Sequence, residues 1–340
     1  MRVTQQDIAK IANVSQATVS RVLAGDEKVE PTIRTRVVEA IRKHNYQPDV
    51  RARSLRSKHT GLIGLVVSRP QGGLTEDPFF ASLTAEIIDY LAGRPYHLCL
   101  DMAYDEHSQT AIYDEMLRTR RVDGLILVES EARDARLPRL QNDDFPFVLI
   151  GNPVMSPQIH SVDNDNVLAA EMATSHLFEQ GYRRVGIVAA RPGVTVSDDR
   201  IQGYCNVIEE RNAESLIWHA DFGADAARDC AIRALSCPNP PDALVVLDDY
   251  MAMGVVMAAR SQGIRVPDQL GVVSFNDTNL CELIDGGLTS VSLNIKELVA
   301  QTCDRLLEVI SGEANGAPRR IVVPCELKVR GSSVRAGVLC

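Results

Sequence analysis

The stretch NVSQATVSRVLAG, residues 13–25, has the pattern of a short helix with two unlike faces. Val19, Val22 and Leu23 recur at helical spacing and form an apolar face. Ser15 is a typical N-cap residue. The adjacent face carries small or hydrogen-bonding side chains, namely Gln16, Ala17, Ser20 and Arg21. The pattern therefore predicts a helix that seats one side on neighbours and leaves the other side available.

Two further short helices are expected on either side. Thr4 with Asp7 has the spacing of a capping box, before a helix with apolar positions at Ile8, Ile11 and Ala12. Asn13 tolerates the left-handed turn that would end this helix. A third helix is expected from Pro31 to Asn45. Three such helices predict a helix-turn-helix unit, although periodicity alone leaves a generic three-helix scaffold open.

The exposed face of the second helix has the chemistry of groove recognition. Gln16 can read adenine, Arg21 can read guanine, and Ala17 can pack on a thymine methyl group. Hydroxyl groups are expected at phosphates, where they hold register. The hydroxyl residues assigned to backbone contacts are Thr4, Ser15, Thr18 and Ser20.

The charge distribution supports a polyanionic partner for this N-terminal region. Residues 1–60 hold 12 Lys and Arg against 6 Asp and Glu, while the remainder holds 24 against 39. A basic head on an acidic body indicates that the head meets nucleic acid.

From residue 61 the pattern changes to short, nearly continuous apolar runs such as LIGLVV, DGLILV and DALVVL, with amphipathic helices between them. Such runs indicate parallel strands whose sheet is covered on both faces. Two series of these units predict two doubly wound lobes, with ligands bound beyond the carboxyl ends of the strands.

Composition and motif content exclude several classes. The chain has 340 residues, of which 45% are hydrophobic, and lacks an apolar run long enough to span a bilayer. No dinucleotide or phosphate-loop motif occurs, no cysteine pair has C-x-x-C spacing, and the histidines are dispersed. The N-terminal MRVTQQDIAK lacks an apolar signal core. We expect a cytoplasmic protein that is not an enzyme and that needs no cofactor or metal.

The head resembles the DNA-binding domain of the lactose-repressor/galactose-repressor (LacI/GalR) family. The resemblance is carried by D-I-A, V-S-Q-A-T-V-S-R-V-L, N-Y-Q-P and A-R-S-L. It continues through the body in DPFF, VDNDN, RIQGY, LDDYMAMG, VVSFND and VPCELKVRGSS. It implies a helical helix-turn-helix head and a periplasmic-binding-protein-like α/β core of two parallel-sheet lobes.

The resemblance also implies domain limits. These are a helix-turn-helix domain at 1–48, a hinge helix or linker at 49–60, and an effector-binding core at 61–340, with an N-lobe at about 61–160 and 293–322 and a C-lobe at about 161–292 and 323–335.

The basic segment 49–58 is, by its residues alone, either a flexible tether or a helix. The resemblance implies a hinge helix that folds on DNA and inserts a leucine into the minor groove. Leu55 is the matching leucine, and Arg53 is expected in the same groove.

The effector site carried over from the family lies at strand ends. It consists of Ser68, Phe79, Phe80, Asn152, Arg200, Phe222, Asp248 and Asn276. Phe80 is the preferred aromatic wall over Phe79, although either is equally a core residue. Arg200 is a donor to vicinal hydroxyls or else a surface ion pair. Asp249 is expected to cap the following helix.

The family commonly has Asn or Ser at the position of Asp248 and Asp at the position of Asn276. The carboxylate and the amide are therefore exchanged in this chain. The exchange keeps one acid and one arginine in the expected pocket, which suits a neutral polyol.

The expected function is that of a repressor that binds a palindromic operator in double-stranded DNA as a homodimer. The expected effector is a neutral mono- or disaccharide that releases the DNA. A purine- or nucleoside-responsive, corepressed regulator is the alternative, followed by a sugar-binding protein without a DNA role.

Overall fold

The computed structural model describes residues 3–23, 25–46, 59–68, 77–128, 131, 134–154, 158–314 and 316–335. Contacts divide the chain into two compact units, Met1–Thr60 and Gly61–Cys340, called here the head and the core. Residues 49–58, and with them Arg53 and Leu55 of the expected hinge, lie outside the described residues.

Over its described residues the head contains three helices, α1 (Gln5–Ile11), α2 (Gln16–Leu23) and α3 (Pro31–Lys43). Thr4 and Asp7 form the expected capping box at α1. The Ser15 hydroxyl accepts the backbone N–H of Thr18 at 3.1 Å, so it satisfies one of the open donors of α2. The turn between α1 and α2 passes through Asn13 in the left-handed region, with φ of 50°.

The helices of the head enclose a small apolar core. Its buried members are Ile8, Ala9, Ala12, Val19, Val22, Val29, Val37 and Ala40. Two apolar positions expected on the inner faces are open to solvent, since Ile11 is 47% and Leu23 is 37% exposed. Both lie in the last turn of a short helix, beyond the reach of so small a core.

The core is built on two six-stranded sheets. The first has strand order β11-β5-β4-β3-β1-β2, with β1 (Leu62–Ser68), β2 (His97–Ala103), β3 (Gly124–Val128), β4 (Phe147–Ile150), β5 (Ser161–Asn164) and β11 (Arg320–Val323). The second has order β12-β10-β9-β8-β6-β7, with β6 (Val185–Ala189), β7 (Ile217–His219), β8 (Ala243–Val246), β9 (Gly271–Asn276), β10 (Thr289–Ser292) and β12 (Glu326–Lys328).

Among the described residues every strand pair is parallel except β10 with β12. Most central strands are buried along their whole length, which explains their continuous apolar sequence. The α-helices in the part of the core that the structure describes are α4 (Pro78–Leu91), α5 (Glu106–Thr119), α6 (Arg136–Asn142), α7 (Asn166–Glu179), α8 (Thr195–Glu210), α9 (Ala224–Leu235), α10 (Asp249–Ser261) and α11 (Ile295–Ser311).

Within the described strands and helices, the chain passes between the two lobes at three places, after β5, between β10 and α11, and between β11 and β12. The buried side chain of Asn164 joins all three, because its amide donates to the carbonyls of Leu293 (3.0 Å) and Val323 (2.9 Å). The first lobe continues to Asn164 rather than ending near residue 160, since β5 pairs with β4 and β11.

Over the described residues, no helix has both the length and the apolar character that crossing a membrane requires. Within the same residues, no cluster of three or more His, Cys, Asp or Glu is placed to hold a metal ion.

Candidate functional site

The exposed face of α2 carries the side chains predicted to read base edges. Gln16, Ala17 and Arg21 are exposed, whereas Val19 and Val22 of the same helix are buried. The helix therefore offers a polar face that is held in place by its apolar face.

Three of the predicted phosphate-contacting hydroxyls, those of Thr4, Ser15 and Thr18, also have local partners. The Ser15 hydroxyl lies 2.9 Å from the Thr18 hydroxyl. The Thr4 hydroxyl donates to Asp7 at 2.6 Å. These groups stabilise the starts of α2 and α1, and a capping group at a helix N-terminus also lies where phosphate binding is favoured.

A cavity of about 90 Å³ lies between the two lobes of the core. It forms at the carboxyl ends of β3, β4, β5, β8 and β9, where open parallel sheets bind their ligands. We call it the inner compartment. Its lining consists of Asp77, Phe79, Val128, Ile150, Gly151, Asp163, Asn164, Asn166, Thr195, Val196, Arg200, Phe222, Leu247, Asp248, Asn276, Leu293 and Leu298.

Arg200, on α8, is the cation of this compartment and is only 3% exposed. Its Nε donates to the Asn166 side chain at 3.1 Å, and its Nη1 donates to the Leu247 carbonyl at 2.5 Å. The guanidinium also lies over the Phe275 ring, 4.1 Å from the centroid. These contacts fix its orientation, so Arg200 is a buried lining residue rather than a surface ion pair.

Three carboxylates line the same compartment, where one acid was expected. Asp77 caps α4 by accepting the N–H groups of Phe79 and Phe80. Asp163, at β5, accepts the backbone N–H of Asn164 at 2.8 Å and thus serves a local structural role as well as lining the cavity. Asp248 is the third. The inner compartment is therefore richer in acids than in bases.

The expectation that Asp249 caps α10 is wrong. Asp248 is the N-cap, and its carboxylate accepts the N–H of Met251 at 2.6 Å. Asp249 is buried and instead accepts hydrogen bonds from the hydroxyls of Ser274, Ser290 and Thr278 and from the Thr278 N–H. It ties α10 to the ends of β9 and β10.

Burial shifts the titration of the charged groups. It raises the pKa of Asp248 to about 7 and that of Asp163 to about 6, in each case offset in part by a backbone N–H donor. Burial lowers the pKa of Arg200 to about 10. Arg200 therefore stays charged at neutral pH, while Asp248 is held near its titration midpoint.

The two adjacent phenylalanines have different surroundings. Phe79 lines the inner compartment, whereas Phe80 is 1% exposed and packs in the core of the first lobe. The preference for Phe80 as the aromatic wall of this compartment is therefore reversed. Phe80 lies on the first helical turn facing the sheet, and Phe79 lies one position earlier on the open side.

Ser68 and Phe80 contribute to a second depression in the cleft, which shares Val128 and Phe222 with the inner compartment. We call this depression the outer compartment. The predicted effector residues thus divide between two adjoining spaces.

The remaining predicted positions are Asn152 and Asn276. Asn276 lines the inner compartment with its backbone in the left-handed region, φ 100°. Asn152 lies outside the lining of both compartments. Its amide donates to Asp199 of α8 at 3.0 Å, which joins the two lobes.

Comparison with known proteins places this geometry in a family. The profile described as "Bacterial regulatory proteins, lacI family" matches residues 4–49, and that of a periplasmic binding protein-like domain matches residues 174–333. The ribose operon repressor of Halalkalibacterium halodurans is 32% identical, covering 96% of each chain. The transcriptional regulator CelR of Thermobifida fusca is 30% identical, covering 97% of this chain and 98% of its own.

The chain belongs to the LacI family. Among solved structures, the CelR–cellobiose complex superposes with a TM-score of 0.75 at 27% identity, covering 97% of this chain and 100% of that one. The lac repressor dimer bound to operator and an anti-inducer has the same fold, with a TM-score of 0.85 at 24% identity over 98% of this chain and 100% of that one.

Membership confirms the family and fold predicted from the motifs of the head and body. As a LacI-family protein, the chain is a DNA-binding transcriptional regulator and not an enzyme. The head supplies the DNA-binding helices, and the core supplies the two-lobed α/β receptor.

Sequence reasoning missed five polar residues of the inner compartment, which are Asp77, Asp163, Asn164, Asn166 and Thr195. Three of them lie in VDNDN, at the end of the buried strand β5 and just beyond it, and this position was the available signal. Asp77 and Thr195 each begin a helix, so their sequence signature is that of ordinary helix starts.

Proposed function

We propose that this LacI-family regulator is a repressor that binds a palindromic operator as a homodimer and is released by a neutral sugar. The observation that carries the effector assignment is the inner compartment. It sets the fixed guanidinium of Arg200 among carboxylate and amide groups, a mixed set of donors and acceptors that matches hydroxyl groups.

The operator assignment rests on α2. Gln16, Ala17 and Arg21 are proposed to contact bases, and Thr4, Ser15, Thr18 and Ser20 to contact the phosphate backbone. Two heads related by a two-fold axis would read two half-sites. Binding to DNA locates the protein's action in the cytoplasm.

The coupling between sugar and operator follows from linkage. A sugar that contacts both lobes favours one angle between them, and segment 49–58 is proposed to convert that angle into operator affinity, with Leu55 and Arg53 in the minor groove. Coupling free energies of this kind are typically about 1–3 kcal/mol, and sugar and operator then weaken each other's binding equally.

A purine or nucleoside effector is the second candidate. It is favoured by the aromatic walls Phe79 and Phe222 and by the amides of Asn164, Asn166 and Asn276. Against it stand the three carboxylates of the inner compartment, which offer more hydrogen-bond acceptors than the donor groups of a base can fill.

The test is operator binding by fluorescence anisotropy at a fixed, stated salt concentration. The duplexes are the inverted repeats of the protein's own promoter region, with scrambled duplexes as controls. Each titration is repeated with mono- and disaccharides and with adenosine and adenine. We expect tight binding to one inverted repeat and release by a neutral sugar. Release by a purine, or tightening by it, would favour the second candidate, and failure to bind any inverted repeat would refute the regulator.

A further inference from the structure

We propose that the effector is a disaccharide, with one sugar unit in the inner compartment and the second in the outer compartment. This inference rests on the proposed function and narrows the class of its ligand. The polar groups assigned to the second unit are Ser68, Gln109, Thr110 and Asp221.

The two compartments adjoin, because Val128 and Phe222 line both. Phe222 is 38% exposed, which is high for an aromatic residue within a cleft. An exposed aromatic ring between two polar spaces offers an apolar surface to a ligand that spans them, while the polar groups on each side fix its orientation.

Both lobes wall the outer compartment. Ser68 ends β1, and Gln109 and Thr110 lie on α5, whereas Asp221 belongs to the second lobe. Glu131 joins the lobes at this edge. Its backbone forms an isolated antiparallel bridge with Val194, and its carboxylate pairs with Arg191. The outer compartment is thus bounded on two sides and is not a stretch of open surface.

The charges of the outer compartment favour a neutral ligand. Arg191 pairs with Glu131, and Arg136 pairs with Asp134 at 2.6 Å, with Nε of Arg136 also bonded to that carboxylate. Both cations are therefore matched by carboxylates. A phosphate group would enter without a cation to balance it, and an unbalanced charge is costly to bury.

The volumes of the two compartments favour two sugar units over one. The inner compartment has a volume of about 90 Å³, well below the roughly 300–1,000 Å³ of a whole ligand pocket, so it does not hold a ligand larger than one sugar unit by itself. The outer compartment adds about 530 Å³ of space that opens towards solvent. Gln109 and Thr110 line the outer compartment and not the inner one, so a single sugar unit held at Arg200 does not reach them, whereas a second linked unit does.

The test is isothermal titration calorimetry on the full-length protein. The probes are cellobiose, maltose, lactose and trehalose, their monosaccharides glucose and galactose, trehalose 6-phosphate, and adenosine. At least one disaccharide is expected to bind 10-fold or more tightly than each of its component monosaccharides, and trehalose 6-phosphate is expected to bind more weakly than trehalose.

The variant Gln109→Ala tests the outer compartment directly, because it removes a side chain assigned to the second sugar unit. Losing one neutral hydrogen bond is expected to weaken the disaccharide about 2- to 10-fold and to leave the monosaccharide unchanged. Gln202→Ala is the matched control, because Gln202 is exposed on α8 and lines neither compartment. It is expected to alter neither affinity.

Each contrary result has a distinct meaning. A monosaccharide that binds as tightly as its disaccharides overturns this inference and leaves the sugar-responsive repressor intact. An equal loss of both affinities in Gln109→Ala also overturns it. If adenosine binds and no sugar does, both the inference and the sugar assignment fall. If no probe binds, the disaccharide is likewise refuted, while operator titration independently decides whether the regulator stands.

Discussion

The reading face of α2 takes its side chains from residues 16–21, whereas the inner compartment takes its lining from positions between Asp77 and Leu298. The first surface is local, because one helical turn sets the spacing of its groups. The second is assembled by two sheets and by the three chain crossings that Asn164 joins. A substitution on α2 is therefore expected to remove a contact with DNA directly. A substitution in the inner compartment is expected to act also through the neighbouring contacts that position its lining residues.

The largest effect is expected at the most interconnected residue of the compartment. Arg200→Lys keeps the charge but cannot donate to both the Asn166 side chain and the Leu247 carbonyl. A cation that is no longer fixed loses its charge-assisted hydrogen bonds to the effector, worth about 1.5–3 kcal/mol, so effector affinity should fall about 10- to 100-fold. Calorimetry with the effector measures this, and operator affinity without effector should change less than about threefold.

Arg211→Lys is the matched control for that prediction. Arg211 follows the end of α8 and is exposed, with its guanidinium 5.7 Å from the Phe178 ring centroid. It should bind effector as the unchanged protein does. A similar loss of effector affinity in both variants would mean that any Arg-to-Lys change in or next to α8 weakens binding. The prediction that Arg200 itself contacts the effector would then be contradicted.

A substitution in the head should have the opposite result, lowering operator affinity and leaving effector affinity unchanged. Arg21→Ala removes one proposed base contact, worth about 1–3 kcal/mol, so affinity for the inverted repeat should fall about 10- to 100-fold. Effector affinity should stay the same. Anisotropy titrations with the inverted repeat and with a scrambled duplex measure the effect. Equal losses on both duplexes would reassign Arg21 to the phosphate backbone.

The third prediction concerns the pH dependence of the stability of the core, which Asp248 controls. Burial raises the pKa of Asp248 to about 7, so the folded core binds a proton that the unfolded chain releases near pH 4. The stabilisation is present below about pH 4 and is lost as the pH rises towards 7. Asp248→Asn stays neutral and can still cap α10, so at pH 8 it should stabilise the core.

The expected gain for Asp248→Asn is about 2 kcal/mol, less than the ~4 kcal/mol that a shift of this size implies, because the side chain keeps some contact with solvent in the cavity. Chemical denaturation between pH 4 and pH 8 measures it. A shallower pH dependence should remain, since burial also raises the pKa of Asp163 to about 6. Parallel curves for variant and unchanged protein would contradict the prediction.

The smallest effect is expected at a helix cap. Thr4→Ala removes the hydroxyl of the capping box at α1 and should destabilise the head by about 1 kcal/mol. Hydrogen exchange of amides in α1 measures it, with the amides of β3 as an internal reference that should not change. Thr4→Ser keeps the hydroxyl and should exchange like the unchanged protein. Faster exchange in β3 as well would show that the two units are not independent in stability.

The family, the fold and the face of α2 were predictable from the sequence. The helix starts, the turn at Asn13 and the buried strands each depend on residues close together in the chain. The two phenylalanines after Asp77 show where such reasoning stops. Both are apolar and adjacent, and only the angle of α4 on its sheet decides that Phe80 is buried and Phe79 lines the compartment.

The chain's own residues determined which local elements form, because caps, turns and apolar periodicity act over a few positions. The tertiary structure alone decided that three aspartates share one compartment with Arg200, that the buried Asp249 bonds to Ser274, Thr278 and Ser290, and that the predicted effector residues occupy two compartments. The physical reason is that burial, pKa and cavity shape depend on distances between segments far apart in sequence, and those distances exist only once both sheets have packed.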